Sequence, residues 1–149
     1  MSELVIVQRL LLIAVLAGCI GYERERHGRA AGLRTHILVG LGSCLIMLTG
    51  LHLKEAMQGT VDIDPTRMAA QVVSGIGFLG AGTILHDRAS VRGLTTAAGL
   101  WAVAGLGLAV GSGFIFAAVA ATVIMLVTLF ALRRLDRQIR RERSQEPRA

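Results

Sequence analysis

Five long apolar segments, separated by short charged ones, constrain this chain more than any other feature of its sequence. They are each 17 to 21 residues long and cover residues 4–22, 37–53, 65–85, 94–110 and 114–132. About 20 residues of apolar α-helix cross the roughly 30 Å hydrocarbon core of a bilayer. Membrane strands are shorter and alternate polar with apolar residues, and a lone segment can satisfy its backbone in lipid only as a helix. The sequence therefore predicts an all-α, polytopic transmembrane bundle of about five helices.

Arginine and lysine are spread unevenly over the segments between these helices. Thirteen of the 16 lie in residues 23–36, 86–93 and 133–149, and the other three are Arg9, Lys54 and Arg67. Five spans place the three arginine-rich segments on one side of the membrane. Because cytoplasmic loops carry the excess of arginine and lysine, we expect the N-terminus outside and the C-terminus in the cytoplasm.

The chain divides into a transmembrane domain over residues 1–132 and a cytoplasmic basic tail over residues 133–149. Within the tail, Leu135 and Ile139 lie four residues apart among arginines. This spacing predicts a helix that continues the fifth span towards anionic headgroups, where each arginine adds about 1 kcal/mol of attraction. A solvated anchor without a specific partner is the alternative.

The composition argues against several classes of protein. The net charge is +6, but the arginines adjoin apolar spans and only one Tyr and one Trp are available to stack on bases, so nucleic-acid binding is not expected. The G-x-G-x-x-G pattern at residues 75–80 lies inside an apolar segment instead of following a strand. No Ser/His/Asp arrangement, Walker loop or catalytic carboxylate pair is present. We expect neither an enzyme nor a bound organic cofactor.

The first segment permits a second interpretation. Arg9 and the apolar run up to Leu16-Ala17-Gly18-Cys19 resemble a bacterial lipoprotein signal with Cys19 as the lipidated residue. However, Glu3 lies in the region before the apolar run, and the run continues past Cys19. A membrane span is therefore the favoured interpretation, with lipidation of Cys19 as the alternative.

Two rows of small residues lie at helical spacing. The third segment carries Ala70, Ser74, Gly77 and Ala81 on one face, and the fourth carries Gly107 and Gly111. Small residues let helix backbones approach closely in lipid, which supplies no hydrophobic drive between helices. The rows indicate either tight packing within the protomer or the seam of a homodimer, and the sequence leaves both open.

Polar residues near the membrane are the better indicators of function, because they are costly there. Gln71 and Ser74 lie in the first turns of the third segment. On the outer side, Glu55, Asp62 and Asp64 supply hard oxygen ligands of the kind that bind hydrated magnesium. The sequence thus offers a magnesium site at these three acids, with a solvated polar loop as the alternative.

The inner side carries charges of both signs. Glu23 and Arg24 follow the first span, Arg34 and His36 precede the second, and Asp87 and Arg92 lie between the third and fourth spans. Side chains of this kind bind lipid phosphates or pair with one another. We expect Glu23, Arg24, Arg34, Asp87 and Arg92 to form an ion-pair lattice that ties the helix ends together.

Taken together, these segments resemble the MgtC/SapB family of bacterial membrane proteins. The resemblance is carried by residues 21–24, 31–36, 64–67, 70–82 and 91–98, and by Trp101. The positions that it marks as functional are Glu23, Arg24, Gly32, Arg34, His36, Asp64, Arg67, Gln71, Ser74, Gly77, Arg92, Thr95 and Trp101.

The resemblance implies a protein of the bacterial inner membrane that is linked to growth under magnesium limitation and, in some pathogens, to survival inside host cells. Family members have been described as magnesium-transport-associated proteins and as regulators of other membrane proteins, including ATP synthase. The virulence-associated members carry a soluble ACT-like domain after the last span, and tend to have Asn at the position of Thr95 and Cys at that of Ala102. This chain carries Thr95, Ala102 and a short basic tail in those places, and these differences weaken the expectation of a virulence role.

We therefore expect a homodimeric inner-membrane protein that serves magnesium homeostasis or envelope-stress adaptation through contacts with other membrane proteins. The alternative is a small magnesium or cation transporter, with Mg²⁺ as the only cofactor or ligand in view. A transporter needs a polar path with acids at mid-depth, and the second, fourth and fifth segments contain no acid. This pattern favours a binding or regulatory role.

Overall fold

Five α-helices follow one another along the chain, as the sequence predicts. The computed structural model describes the backbone of residues 1–58, 61–87 and 90–143, and the side chains of residues 1–58, 61–84 and 91–131. The helices are α1 (Glu3–Arg26), α2 (Leu33–Ala56), α3 (Pro65–Gly82), α4 (Leu94–Ser112) and α5 (Ile115–Arg143). The all-α prediction is confirmed, and the predicted helix in the tail is confirmed as far as Arg143.

The ends of the helices follow local signals that the sequence displays. Asp64 caps α3: its Oδ1 accepts hydrogen bonds from the Thr66 hydroxyl at 2.6 Å and the Thr66 backbone N–H at 2.9 Å, and these bonds lower the pKa of the Asp64 carboxyl. Pro65 occupies the first position of α3, where a missing N–H costs nothing. Gly113 ends α4 in the left-handed conformation, with φ of +89°. The Asp64-Pro65 pair therefore starts α3, and the break between α4 and α5 falls at Gly113.

The apolar core is built by α1, α2 and α4, and α5 contributes one buried apolar residue at its edge. Its buried apolar side chains are Ile13, Leu16, Ala17, Ile20, Cys44, Leu48, Val103, Leu106, Val110 and Ala118. In the part of the chain that the structure describes, α1, α2 and α4 are also the helices long and apolar enough to cross a membrane, and the apolar portion Ile115–Ala131 of α5 is shorter. The three helices that are long and apolar enough to cross a membrane thus form the centre of the protein.

Glycine brings these three helices into backbone contact. A Cβ added to Gly107 on α4 would lie 2.5 Å from the Gly40 carbonyl oxygen and 2.7 Å from Ser43 Cβ, and one added to Gly111 would lie 2.8 Å from the Cys44 carbonyl oxygen. Because real Cβ atoms do not approach so closely, only glycine fits at these two positions. The Gly107/Gly111 row is therefore an internal seam between α4 and α2.

The row on α3 behaves differently. Ala70, Ser74, Gly77 and Ala81 are all exposed, and a Cβ added to Gly77 would meet no atom within 4 Å. Only Pro65, Ile76 and Gly80 of α3 are buried. Packing within the protomer, one of the two interpretations offered by the sequence, is therefore wrong for this row.

A short β-hairpin joins α3 to α4. This hairpin was not expected from the sequence. Strands β1 (Leu85–Asp87) and β2 (Ser90–Arg92) pair antiparallel, with Leu85 opposite Arg92. The predicted third span extends to residue 85, whereas α3 ends at Gly82 and the chain turns into β1. The hairpin brings Arg92 and the start of α4 back to the end of α3.

Candidate functional site

A buried group of polar side chains lies where the end of α1 meets the start of α2. Glu23 and Arg24 on α1 are 4% and 5% exposed, and His36 on α2 is fully buried. Polar groups are costly to bury unless they are hydrogen-bonded or paired. All three are positions that the sequence analysis marked as functional, and their contacts show how each one is held.

Glu23 lies between two basic side chains. Its Oε1 is 2.9 Å from Nδ1 of His27, and its Oε2 is 3.6 Å from Nη1 of Arg24. The second distance exceeds that of a hydrogen bond, and Glu23 Oε2 has no hydrogen-bond partner among the described residues. Arg24 is thus held by charge attraction and not by a bidentate hydrogen-bonded fork.

His36 is fixed by the backbone of its own helix. Its Nδ1 lies 2.9 Å from the Gly32 carbonyl oxygen, whereas its Nε2 is buried and has no partner among the described residues. Two glycines of the neighbouring helices lie next to this side chain: a Cβ at Gly21 would lie 3.0 Å from His36 Cβ, and one at Gly99 would lie 3.7 Å from His36 Nε2. His36 therefore fills the contact between α1, α2 and α4.

Glu25 has a role that the sequence analysis missed. Its Oε2 accepts a hydrogen bond of 2.7 Å from the backbone N–H of Leu33, the first residue of α2. The N-cap residue Gly32 offers no side chain for this purpose, so an acid on α1 satisfies the start of α2 from a distance. An acid near a helix start is a favourable pairing with the helix dipole, but only the fold shows that this acid reaches it.

A cavity of about 620 Å³ opens beside this group. It is lined by three arginines and by the start of α4: Arg24, Arg29, Val91, Arg92, Gly93, Leu94, Thr95 and Thr96. Gly93 has φ of +92°, and a Cβ there would overlap the Thr83 carbonyl, so the turn into α4 requires glycine. The cavity joins the last turn of α1, the loop after it and the N-terminus of α4.

The expected ion-pair lattice forms only in part. Glu23 lies next to Arg24, and Arg92 lines the same cavity as Arg24. Arg34 is exposed and lines a different groove. The Asp87 side chain lies outside the part of the chain whose side chains the structure describes. Among the described side chains, only Glu23 and Arg24 of these five form an ion pair, and the part of the lattice that involves Asp87 stays a prediction.

The groove that includes Arg34 runs between α2 and α3. It has a volume of about 830 Å³ and is lined mainly by apolar residues, among them Leu38, Ile46, Val72 and Leu79. Gln71 also lines it and is exposed, as is Ser74 one turn further along α3. The two polar positions at membrane depth therefore point outward from the protomer and not into its core.

The three outer acids are not brought together. Glu55 accepts hydrogen bonds from the N-terminal ammonium group at 2.8 and 3.1 Å, Asp64 caps α3, and Asp62 is exposed. The described residues contain no group of three or more His, Cys, Asp or Glu side chains that could hold a metal ion. The outer acids therefore do not form the expected magnesium cluster, because two of them already bind groups of the chain itself.

Arg9 has a partner that the sequence could not identify. Its Nη1 donates a 2.7 Å hydrogen bond to the carbonyl oxygen of Gly111, in the last turn of α4. The last carbonyls of a helix lack intrahelical donors and carry partial negative charge, so a cation is favourable there. Arg9 thus fastens α1 to the end of α4 opposite to the arginine-lined cavity.

The sequence model of the MgtC family matches residues 10–138, most of the chain. The chain belongs to the MgtC family. The match covers α2, α3, the hairpin and α4 completely and most of α1 and α5, and it confirms the resemblance that the motifs indicated.

Curated MgtC-family relatives are similar over most of this chain. An uncharacterized protein of Haemophilus influenzae is 43% identical over 132 residues, which are 86% of this chain and 56% of the relative. "Putative magnesium transporter YhiD" of Escherichia coli (strain K12) is 44% identical over 123 residues, 81% of this chain and 57% of the relative. "Protein MgtC" of Salmonella typhimurium is 43% identical over 133 residues, which are 89% of this chain and 54% of the relative.

The chain thus spans a little over half the length of these MgtC-family relatives. No solved structure is significantly similar to it. Family membership together with the apolar helices α1, α2 and α4 indicates a membrane protein.

The remaining positions marked by the MgtC resemblance fall into two places. Thr95 lines the arginine cavity, whereas Arg67, Gly77 and Trp101 are exposed elsewhere. Trp101, on α4, is 57% exposed. The structure therefore collects Glu23, Arg24, Arg92 and Thr95 at one end of the bundle and leaves the α3 positions on an outer face.

Proposed function

We propose that this chain acts in the bacterial inner membrane in magnesium homeostasis or envelope-stress adaptation, through contacts with other membrane proteins and without catalysing a reaction. Membership of the MgtC family and the name of the Escherichia coli relative support the link to magnesium. The observation that carries the choice of a binding role over transport is the apolar plug formed by α1, α2 and α4.

The plug leaves no polar route among the described side chains. Ile13, Val103 and Val110 in its centre are fully buried. The buried hydroxyls of Ser43 and Thr122 each donate to the carbonyl four residues earlier in their own helix, at 2.8 Å, so their O–H groups are satisfied within the helix. A transporter would need polar groups in a continuous path, and these positions supply none within one protomer.

A homodimer is the second part of the proposal. Gln71 and Ser74 lie exposed on α3 beside small residues, and a polar amide facing lipid is costly. A second copy of the chain would cover this face and supply hydrogen-bond partners for it. The exposed glycines Gly75 and Gly77 would allow the two α3 helices to approach closely.

The alternative function is transport of magnesium or another cation, which the name of the Escherichia coli relative favours. The deciding experiment is a magnesium-flux assay on the purified full chain in proteoliposomes loaded with a fluorescent magnesium indicator. The proposal expects the same leak as in protein-free liposomes. Flux that is saturable in magnesium and proportional to the amount of protein would instead establish transport.

A genetic test separates the two ends of the molecule. If the protein acts through contacts, Arg34→Ala should abolish growth in limiting magnesium, since it removes an exposed charge at the groove between α2 and α3. Asp62→Ala, on the opposite side, should be tolerated. Protein levels must be matched by immunoblot. Loss of growth with Asp62→Ala but not with Arg34→Ala would favour transport.

We further propose that the N-terminus lies outside and the C-terminus in the cytoplasm, on the basis of the arginine and lysine distribution. Alkaline phosphatase fused after Gln58 should be active, because the enzyme folds only outside the cytoplasm, and phosphatase fused after Ala149 should be inactive. A fusion after Arg29 serves as the second inactive control. The reverse pattern of activities would refute this orientation.

A further inference from the structure

The cavity at the start of α4 carries an excess of positive charge. Arg24, Arg29 and Arg92 line it, and among the side chains that the structure describes, Glu23 is the one acid that forms an ion pair with any of these arginines. That acid is shared with His27, at 2.9 Å. Three guanidinium groups around one space repel one another unless an anion lies between them.

Arg24 is held in an unusual state for a buried arginine. It is 5% exposed, and the carboxylate oxygen with which it forms an ion pair, Glu23 Oε2, lies at 3.6 Å, beyond hydrogen-bonding distance. A guanidinium group has five N–H donors that suit the oxygens of a carboxylate or phosphate. In the cavity wall these donors have no hydrogen-bond acceptor among the described residues, and a ligand with several oxygens would satisfy them.

The N-terminus of α4 adds donors to the same space. The N-cap residue of this helix of 19 residues is Gly93, which has no side chain to cap it, and Leu94, Thr95 and Thr96, its first three residues, line the cavity. The first N–H groups of a helix have no intrahelical acceptor and carry partial positive charge. A helix N-terminus of this kind suits phosphate, and here it faces the same cavity as a buried arginine and two exposed ones.

We propose that this cavity binds a phosphate group, supplied either by the headgroup of a membrane lipid or by a free phosphate compound. Its lining combines the buried Arg24 and the start of α4 with the exposed Arg29 and Arg92. Two exposed apolar residues, Val91 and Leu94, adjoin the arginines, so an apolar part of a ligand would also find contacts. The inference is independent of the proposed function, since phosphate binding requires neither magnesium transport nor a protein partner.

The test uses the purified full chain in detergent and two kinds of probe. Phosphatidylglycerol is compared by native mass spectrometry with diacylglycerol, which has the same acyl chains and no phosphate. Inorganic phosphate is compared by isothermal titration calorimetry with chloride at matched ionic strength. Arg92→Gln and Arg29→Gln change exposed side chains of the cavity, so the fold should persist in both. Arg26→Gln, which removes an exposed arginine of α1 that does not line the cavity, is the matched control.

Binding of one phosphatidylglycerol per protomer, weakened about tenfold by Arg92→Gln or Arg29→Gln and unchanged by Arg26→Gln, would identify a lipid headgroup as the source. The same pattern with inorganic phosphate would identify a free phosphate compound. Equal binding of diacylglycerol and phosphatidylglycerol without phosphate binding, or equal effects of all three substitutions, would overturn the proposal. Absence of binding to every probe would overturn it as well.

Discussion

The two rows of small residues look alike in the sequence and have opposite positions in the structure. On α4, Gly107 and Gly111 press against the backbone of α2, so that an added Cβ would lie within 3 Å of its atoms. On α3, Gly77 faces open space and Ser74 is exposed. Glycine spacing therefore marks a helix face that another helix can approach closely. It does not identify the helix that approaches.

The difference arises from what surrounds each helix. α4 lies between α1, α2 and α3, and its row has to accommodate the backbone of a neighbour. α3 packs at the edge of the bundle and turns one face away from it. The row on α4 therefore stabilises the fold, whereas that on α3 is available for a contact between protomers. Substitutions at matched glycines can test both statements.

The largest effect is expected for Gly107→Leu. A leucine there would push α4 away from the Gly40 carbonyl, and since backbone cannot yield as a side chain can, we expect a loss of more than about 3 kcal/mol of stability. The control is Gly105→Leu, on the same helix, because a Cβ added at Gly105 would meet no atom within 4 Å. The measurement is the yield of folded protein and its midpoint of thermal unfolding in detergent. Equal behaviour of the two variants would contradict the internal seam.

A smaller effect is expected for Gly40→Val on α2. A Cβ at Gly40 would lie 3.0 Å from Ala17 Cβ and 3.0 Å from Ile13 Cγ1, so these neighbours must give way less than the backbone atoms near Gly107 would. We expect a destabilisation of about 1–3 kcal/mol. Gly42→Val, two residues away and without a contact within 4 Å, should change the unfolding midpoint little. A larger loss with Gly42→Val would mean that the groove side of α2 is packed.

The third prediction concerns the other row. Gly77→Leu should leave the stability of the protomer within about 0.5 kcal/mol, because the new side chain points away from it. If the row is a dimer seam, the ratio of dimer to monomer in native mass spectrometry should fall roughly tenfold, since leucine holds the two α3 helices apart. Gly82→Leu, also on α3 and free of contacts, is the control. An unchanged ratio would exclude this row from the dimer.

The smallest effect is expected for Gln71→Leu. A hydrogen bond between helices in lipid contributes about 0.6–1.7 kcal/mol, so loss of the amide should weaken the dimer only a few-fold. Gln71→Asn, which keeps an amide, should retain part of the association. If Gln71 faces only lipid, Gln71→Leu should leave the dimer intact and raise the thermal midpoint, and the seam would have to be sought elsewhere.

The candidate site was visible in the sequence only as separate parts. The pattern of charges marked Arg24 and Arg92 individually, but residues 68 positions apart show no sign of sharing a cavity until α1 and α4 are packed together. The same limit explains the outer acids. Glu55 is a free ligand in the sequence, whereas in the structure the N-terminal ammonium group occupies it.

The number of helices, most of their ends and the family could be predicted from the sequence, because they depend on local properties. These properties are the length of the apolar segments, the cap at Asp64-Pro65 and the break at Gly113. The buried glycines, the direction of Arg34 and the meeting of three arginines at one cavity are visible only in the folded structure. These outcomes depend on which helices are neighbours. Helix neighbours are selected by packing over the whole protomer, and every apolar helix carries a similar local pattern.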